Sequence, residues 1–303
     1  SPNCEKIGRF FKKMSRINIG LIGLGAMGSG IAACIANANI ALSVYDHDES
    51  KLKAVTDYPL ISESTPDVII KECELTLFCV QSALQIDGLL SKASPKPGST
   101  VIDLTSSDPR ITHKRAERLL AECNTYHLDA AMSGGAKGAA AGTLTLMVGG
   151  EHHILESYRH ILSTFANQIF HIGDAGKGQL MKLFHNAVCH GNFLLLSEIC
   201  IKGEQHGLNL SQMIDVFNCS NARSYISEKR FPDHILSGTF DGRSTPANLK
   251  KDLSLLDDLL KVDEVEHSYL THSLKLLNML DTKFENDDFM LIYPQLKRIM
   301  GEL

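Results

Sequence analysis

The stretch Ile17-Asn18-Ile19-Gly20-Leu21-Ile22-Gly23-Leu24-Gly25-Ala26-Met27-Gly28 constrains the fold more than any other part of the chain. Its opening, Ile17 to Ile22, is short, apolar and β-branched, as a strand buried on both faces of a parallel sheet must be. Gly23, Gly25 and Gly28 follow with the spacing G-x-G-x-x-G. In such a turn the first glycine permits the tight bend. The second, lacking Cβ, lets a pyrophosphate approach the backbone, and the third lets the next helix pack close to the strand. The helix start then offers N–H groups and a positive dipole end to that anion. Gly23, Leu24, Gly25, Ala26, Met27 and Gly28 are the expected dinucleotide cradle.

A lone glycine motif is weak evidence, but the residues after it add context. Ala41 to Tyr45 has the composition of a second strand, and Asp46 stands at its end. That is the place for a carboxylate that accepts hydrogen bonds from both ribose hydroxyls and repels a 2′-phosphate. His47, Asp48 and Glu49 follow, with no Arg. NAD rather than NADP is the expected cofactor.

With 303 residues, 44% hydrophobic and 21% charged, the chain has ordinary globular composition and length for one large or two medium domains. A net charge of −5 gives no reason to expect nucleic acid or an anionic membrane as partner. No apolar run reaches membrane-spanning length. Cys4, Cys34, Cys73, Cys79, Cys123, Cys189, Cys200 and Cys219 form no C-x-x-C pair, and several lie in apolar runs. They read as reduced thiols of a cytoplasmic protein, not as a disulfide framework or zinc site. The basic start, with Lys6, Arg9, Lys12 and Lys13, lacks the apolar core of a secretory signal. Residues 1–15 are expected to be a leader or an expression remnant.

From Arg16 to about residue 175, strand-like runs near 17–22, 41–45, 74–80, 99–104, 125–130, 143–149 and 168–172 alternate with helical stretches. This alternation predicts an α/β Rossmann domain, a doubly wound and mainly parallel sheet, over 16–175. Asp108-Pro109 reads as an N-cap followed by proline at the first helical position. From 176 to 303 strand-like runs largely vanish, which predicts an all-α C-terminal domain opened by a long helix from about Leu180 to Gln205.

Three further stretches can carry chemistry. Asp129-Ala130-Ala131-Met132-Ser133-Gly134-Gly135 ends a strand in a turn whose N–H groups and hydroxyl suit a carboxylate, although an ordinary glycine turn has the same residues. Within Gly176 to Asn186, Lys182 and Asn186 are four apart and share one helix face. A Lys among Leu, Met and Phe near a helix start is partly desolvated, which prepares an amine for proton transfer; a snorkelling Lys at a helix edge is the plainer reading. Asn248-Leu249-Lys250-Lys251-Asp252-Leu253 is charged enough simply to solvate a helix face. Thr105 sits at the C-terminal end of a strand, where open α/β sheets bind ligands. The histidines are scattered and no catalytic metal is expected.

In order and spacing these pieces resemble the β-hydroxyacid dehydrogenase family, which includes 3-hydroxyisobutyrate dehydrogenase, over residues 16 to 300. The resemblance rests on G-L-G-x-M-G at the start, Asp103 to Pro109, D-A-x-x-S-G-G at 129–135 and G-T-L-T-x-M-V-G-G at 142–150. It continues with G-x-G-x-x-x-K-x-x-x-N at 176–186 and K-D-L at 251–253. It implies an active site in a cleft between a Rossmann and a helical domain, and a homodimer or homotetramer. Lys182 would be the general acid/base, Asn186 a substrate-positioning residue, and Ser133, Gly134 and Gly135 the substrate-carboxylate site. Thr105 would lie near both ligands, and Val80 and Lys251 near the cofactor.

The chain departs from the family pattern at Ala131-Met132, where many relatives carry Pro-Val, and at Val80-Gln81, where many carry Leu-Pro. His185 replaces the usual Asn. Lys-x-x-His-Asn instead resembles 6-phosphogluconate dehydrogenases, in which this His contacts substrate, so His185 is a candidate substrate residue for a more hydroxylated or phosphorylated acid. The leading expectation is NAD-linked interconversion of a small β-hydroxyacid and its semialdehyde or keto acid, with 3-hydroxyisobutyrate, tartronate semialdehyde and threonate-like acids as candidates. An NADP-linked sugar-acid dehydrogenase, an imine reductase and a non-catalytic dinucleotide-binding scaffold are the alternatives. Retention of Lys182 and Asn186 speaks against the last two.

Overall fold

The computed structural model describes residues 17–242, 244–260 and 268–301. Residues 1–15, expected to be a leader or an expression remnant, lie outside them. The chain divides into two compact units, Ser1–Lys182 and Leu183–Leu303.

The first unit is built on one eight-stranded sheet, in the order β3-β2-β1-β4-β5-β6-β7-β8. Its strands are β1 (Ile19–Ile22), β2 (Leu42–Tyr45), β3 (Ile61–Glu63), β4 (Leu75–Phe78), β5 (Thr100–Asp103), β6 (Tyr126–Ser133), β7 (Leu144–Gly149) and β8 (Ala166–Gly173). Helices α1 (Gly28–Asn37), α2 (Glu49–Lys53), α3 (Pro66–Glu72), α4 (Ala83–Leu90), α5 (Pro109–Cys123), α6 (Gly135–Ala141) and α7 (His152–Leu162) connect them. Every residue of β1, β4 and β5 is buried, which explains their mainly apolar sequences. Alternate side chains serve two cores. Leu21, Leu77 and Ile102 pack with Ile31 and Ile35 of α1 on one face, while Ile22, Phe78 and Val101 pack with Ile69, Ile70 and Ile86 on the other. Helices thus cover both faces, the doubly wound arrangement.

Two elements had no legible signal. β3 has three residues, of which only Ile61 is buried. α6 is Gly-Ala-Lys-Gly-Ala-Ala-Ala, a composition that favours turns as much as helix. It is held by close approach to α1, where a Cβ on Gly30 would come within 2.7 Å of the Ala140 backbone nitrogen. β7 runs antiparallel to β6 while every other pair is parallel. The ten residues between Ser133 and Leu144 are too few for a parallel crossover, which needs about a dozen or more.

His127, on β6, is buried, and neither ring nitrogen has a hydrogen-bond partner among the described residues. Burial pushes the imidazole down to about 3, helped by the charge of Arg115. The unfolded chain, with its His near the usual value of about 6.5, therefore takes up the proton first as the pH falls, and stability is lost from there down toward about 3. His127→Leu is expected to flatten the acid side of the stability curve by up to about 1.4 kcal/mol per pH unit below about pH 6.5. Urea unfolding of both proteins across that range measures the difference; parallel curves would contradict it.

The second unit is helical: α8 (Lys177–Gln205), which begins in the first unit, α9 (Leu210–Asn218), a π-helical segment (Ile226–Leu236), α10 (Pro246–Leu260), α11 (Tyr269–Asn278) and α12 (Ile292–Gly301). Its core gathers Phe193, Phe231, Phe289 and Tyr293 in tilted and edge-to-face contacts. The π-helical segment begins only at Ile226. Ser224 and Ser227 first exchange backbone-to-hydroxyl bonds of 2.9 and 3.3 Å, and Pro232, which has no N–H to donate, sits inside the segment.

Candidate active site

The site begins at the glycine turn after β1. Gly23 has φ +101°, donates its N–H to the Tyr45 carbonyl at 2.8 Å, and has no room for a Cβ beside the Cys79 carbonyl oxygen. A Cβ on Gly28 would collide with the Gly23 carbonyl oxygen. Gly25 differs, because a Cβ there would meet no protein atom within 4 Å. Two of the glycines are thus required by the fold itself, and the third leaves the protein backbone open to an approaching pyrophosphate.

The start of α1 matches this. Helices α2, α4 and α5 begin with the capping side chains Asp48, Ser82 and Asp108. α1, like α6 and α7, has no side-chain cap and no acidic residue in its first turn; what sets it apart is that it directly follows the glycine turn, where its N–H groups suit an anion. Asp46 lies buried at the end of β2, with Oδ2 accepting from the Leu24 N–H at 2.7 Å and Oδ1 from the Asp48 N–H at 3.0 Å. It is tied to the glycine turn and keeps further lone pairs for ribose hydroxyls. Lys51 Nζ lies 3.8 Å from both Asp46 and Asp48, a neighbour the sequence did not single out. The turn, the uncapped helix and this carboxylate fit a nicotinamide dinucleotide. Gly28→Ala is expected to abolish soluble folded protein, whereas Gly25→Ala is expected to fold normally and weaken NADH binding at least about tenfold through its lost backbone approach. Circular dichroism and NADH fluorescence titration separate the two; equal behaviour would contradict the division.

Thr105, just beyond β5, is buried and holds three elements together. Its Oγ1 accepts from the Val80 N–H at 3.1 Å, its N–H donates to Asp103 at 2.8 Å, and its carbonyl accepts from Gln179 Nε2 at 2.5 Å. Asp103 is buried with Arg115, whose Nη1 donates to it at 2.8 Å while Nε reaches Asp87 at 2.8 Å. Burial pushes the Asp103 carboxyl up to about 7 against the pull of Arg115 and the Thr105 N–H.

Ser133 ends β6 half-buried, and Gly134 and Gly135 turn outward into α6 with φ of +128° and +64°. Lys182 is half-buried in the second turn of α8, whose first turn is fastened by Asp129: its oxygens accept the Gly176 and Gln179 N–H groups at 2.7 and 2.8 Å. The second unit brings His185, Asn186 and Lys251 together through Asp252. Asn186 Nδ2 donates to Asp252 at 2.8 Å, His185 Nδ1 donates to Asn186 Oδ1 at 3.0 Å, and Lys251 Nζ lies 3.6 Å from the same carboxylate. The charged run at 248–253 is therefore more than a solvated face, since Leu249 and Leu253 are buried and Asp252 engages Asn186. Asp103, Arg115, Asp129, Gln179 and Asp252 were not singled out as site residues; the signal for three of them was a charge inside or beside an apolar run.

Among the described residues no group of three or more His, Cys, Asp or Glu side chains is placed to hold a metal, and no helix is long and apolar enough to cross a membrane.

Fold and site together define a dinucleotide-binding oxidoreductase with a helical second unit. Residues 18–173 match the family described as the NAD binding domain of 6-phosphogluconate dehydrogenase. Residues 176–295 match the family described as the NAD-binding of NADP-dependent 3-hydroxyisobutyrate dehydrogenase. The chain is 31% identical over 246 residues to 2-(hydroxymethyl)glutarate dehydrogenase of Eubacterium barkeri, covering 79% of this chain and 81% of that one. It is 30% identical over 251 residues to L-threonate dehydrogenase of Cupriavidus necator, covering 81% and 84%. Among solved structures, Mycobacterium tuberculosis 3-hydroxyisobutyrate dehydrogenase with L-serine superposes with a TM-score of 0.81 at 23% identity, covering 92% of this chain and 99% of that one, a likeness of fold. The chain belongs to the β-hydroxyacid dehydrogenase family, a family of NAD(P)-linked oxidoreductases.

Proposed function

We propose that this protein is an NAD-linked dehydrogenase interconverting a small β-hydroxyacid and its semialdehyde or keto acid, with Lys182 as general acid/base. The observation that carries the cofactor choice is the buried Asp46 carboxylate held at the glycine turn by the Leu24 N–H. A 2′-phosphate brought there would meet the Asp46 and Asp48 carboxylates, with Lys51 Nζ 3.8 Å from each and the His47 ring 3.2 Å from Asp46.

NAD supplies or accepts the hydride when bound. The chain's own residues do the rest. The Ser133 hydroxyl and the Gly134-Gly135 turn orient the substrate carboxylate. In oxidation, neutral Lys182 Nζ takes the proton of the substrate hydroxyl; in reduction, its ammonium returns a proton to the developing alkoxide. Asn186, one helical turn beyond Lys182, keeps one N–H and one lone pair after its bonds to Asp252 and His185, enough to hold the substrate hydroxyl. His185, its Nδ1 on the Asn186 side-chain oxygen at 3.0 Å, is the residue we assign to recognition of the more hydroxylated acids.

Asp46→Ser tests the cofactor choice. Removing the like charge is expected to raise the NADP-to-NAD ratio of kcat/KM at least about tenfold. Rates with both cofactors on 3-hydroxyisobutyrate, glycerate, L-threonate, 4-hydroxybutyrate and 6-phosphogluconate measure it. A wild-type preference for NADP, or an unchanged ratio in the variant, would contradict the assignment.

A further inference from the structure

Asp129 lies within β6, buried, yet its carboxylate is spent entirely on the start of another element. Oδ1 accepts from the Gly176 N–H and Oδ2 from the Gln179 N–H. Two glycines clear the space for this contact. A Cβ on Gly149 would come 2.5 Å from Asp129 Oδ1 and 2.9 Å from the Gly178 nitrogen. One on Gly178 would strike the Met147 carbonyl oxygen and come 2.8 Å from Asp129 Oδ2. The first turn of α8 therefore rests directly on β6 and β7.

Gln179 completes the fastening. It is 1% exposed, its Nε2 donates to the Thr105 carbonyl, and its Oε1 accepts from the Ser107 N–H at 3.1 Å. The same turn is thereby bound to β6 through one buried carboxylate and to the end of β5 through one buried amide. Burial raises the Asp129 carboxyl, while the N–H groups of Gly176, Gln179 and Gly178 pull it down. A carboxylate at a helix N-terminus is also favoured by the helix dipole.

This differs in kind from the capping of α2, α4 and α5, whose caps are local in sequence. A local cap stabilises a helix but leaves it free to rotate about its axis. The α8 contacts span 47, 50, 72 and 74 positions, so they fix the rotation of the helix against the sheet. Lys182 is three residues beyond Gln179, and that rotation sets where its amine points.

We propose that Asp129 and Gln179 are positioning residues for Lys182: the buried carboxylate and amide lock the first turn of α8 onto β5 and β6 and thereby aim the lysine. The proposal rests on the reading of Lys182 as acid/base.

The test uses Asp129→Asn, which keeps one acceptor and turns an amide donor toward the other N–H, and Gln179→Ala, which removes the second tie without leaving a buried charge. In the full chain, hydrogen exchange of peptides covering 176–183 is expected to rise at least about tenfold in both variants while the β1 and β4 peptides stay protected. On the acid panel, kcat is expected to fall at least about tenfold with the KM for NAD changed less than about threefold. In a Lys182→Ala background neither variant should cost anything further, because a residue acting through Lys182 has nothing left to aim. Unchanged exchange at 176–183 would overturn the anchor. An equal proportional loss of kcat in the Lys182→Ala background would overturn its link to Lys182. Near-normal turnover of Lys182→Ala alone would remove the acid–base reading and the positioning role with it, leaving the exchange result intact.

Discussion

Lys182→Ala is expected to lower turnover by at least about a hundredfold, the lower end of what positioned acid–base assistance supplies. The cofactor cradle is built from β1, α1 and β2, whereas Lys182 is carried by α8. NADH affinity is therefore expected to stay near the wild-type value while the chemical step fails. Lys182→Arg sharpens the result. A guanidinium keeps the charge and the hydrogen-bonding reach but does not release its proton, so it cannot act as base. If Arg restored oxidation of the acid, Lys182 would be an electrostatic anchor and not a proton carrier. Near-normal rates in Lys182→Ala would remove it from the chemistry altogether.

Arg115→Met is expected to cost the first unit about 3–5 kcal/mol of stability, the usual cost of breaking a buried ion pair from one side. Arg115 and Asp103 have side chains only 1% and 0% exposed, and Arg115 also bonds Asp87 and the Ala83 carbonyl. With the guanidinium gone, Asp103 keeps its backbone bond to Thr105 but loses its only ion-pair partner among the described residues. Its carboxyl, already raised to about 7 by burial, then favours the protonated form at neutral pH. A carboxyl raised above its unfolded value of about 3.9 favours folding as the pH falls, so the variant is expected to recover part of its loss between neutral pH and about pH 4. Denaturant unfolding at several pH values measures both effects. A loss below about 1 kcal/mol would show that the pair contributes little beyond its own desolvation.

Much of the first unit could be read from the chain because its strands are buried on both faces. The runs Ile19–Ile22, Leu75–Phe78 and Thr100–Asp103 have no other plausible use in a chain of this length. The glycine turn was legible for the same reason: Gly23 and Gly28 answer to backbone sterics that no other residue satisfies. β3 and α6 escaped because tertiary contacts, not propensity, hold them. The antiparallel β7 depends on a connection length that became meaningful only once α6 was known to occupy it.

The candidate site can be proposed from the sequence where it rests on residue type and is hidden where it rests on partners. Lys182, Asn186 and Ser133 stand out by kind and spacing. Asp129, Gln179 and Asp252 do not, since a carboxylate or amide shows its purpose only when the N–H or amide it meets is known. Asp252 sits in a charged run that sequence alone would leave to solvent, and Gln179 in a helix start that could have faced either way.

The most direct test of the central claim is a rate panel on the purified chain, with NAD and NADP each set against the small β-hydroxyacids and sugar acids named above. An NAD-linked rate with at least one of these acids, lost in Lys182→Ala, is the predicted result. Cofactor binding without turnover of any acid, or turnover that survives the loss of Lys182, would contradict it.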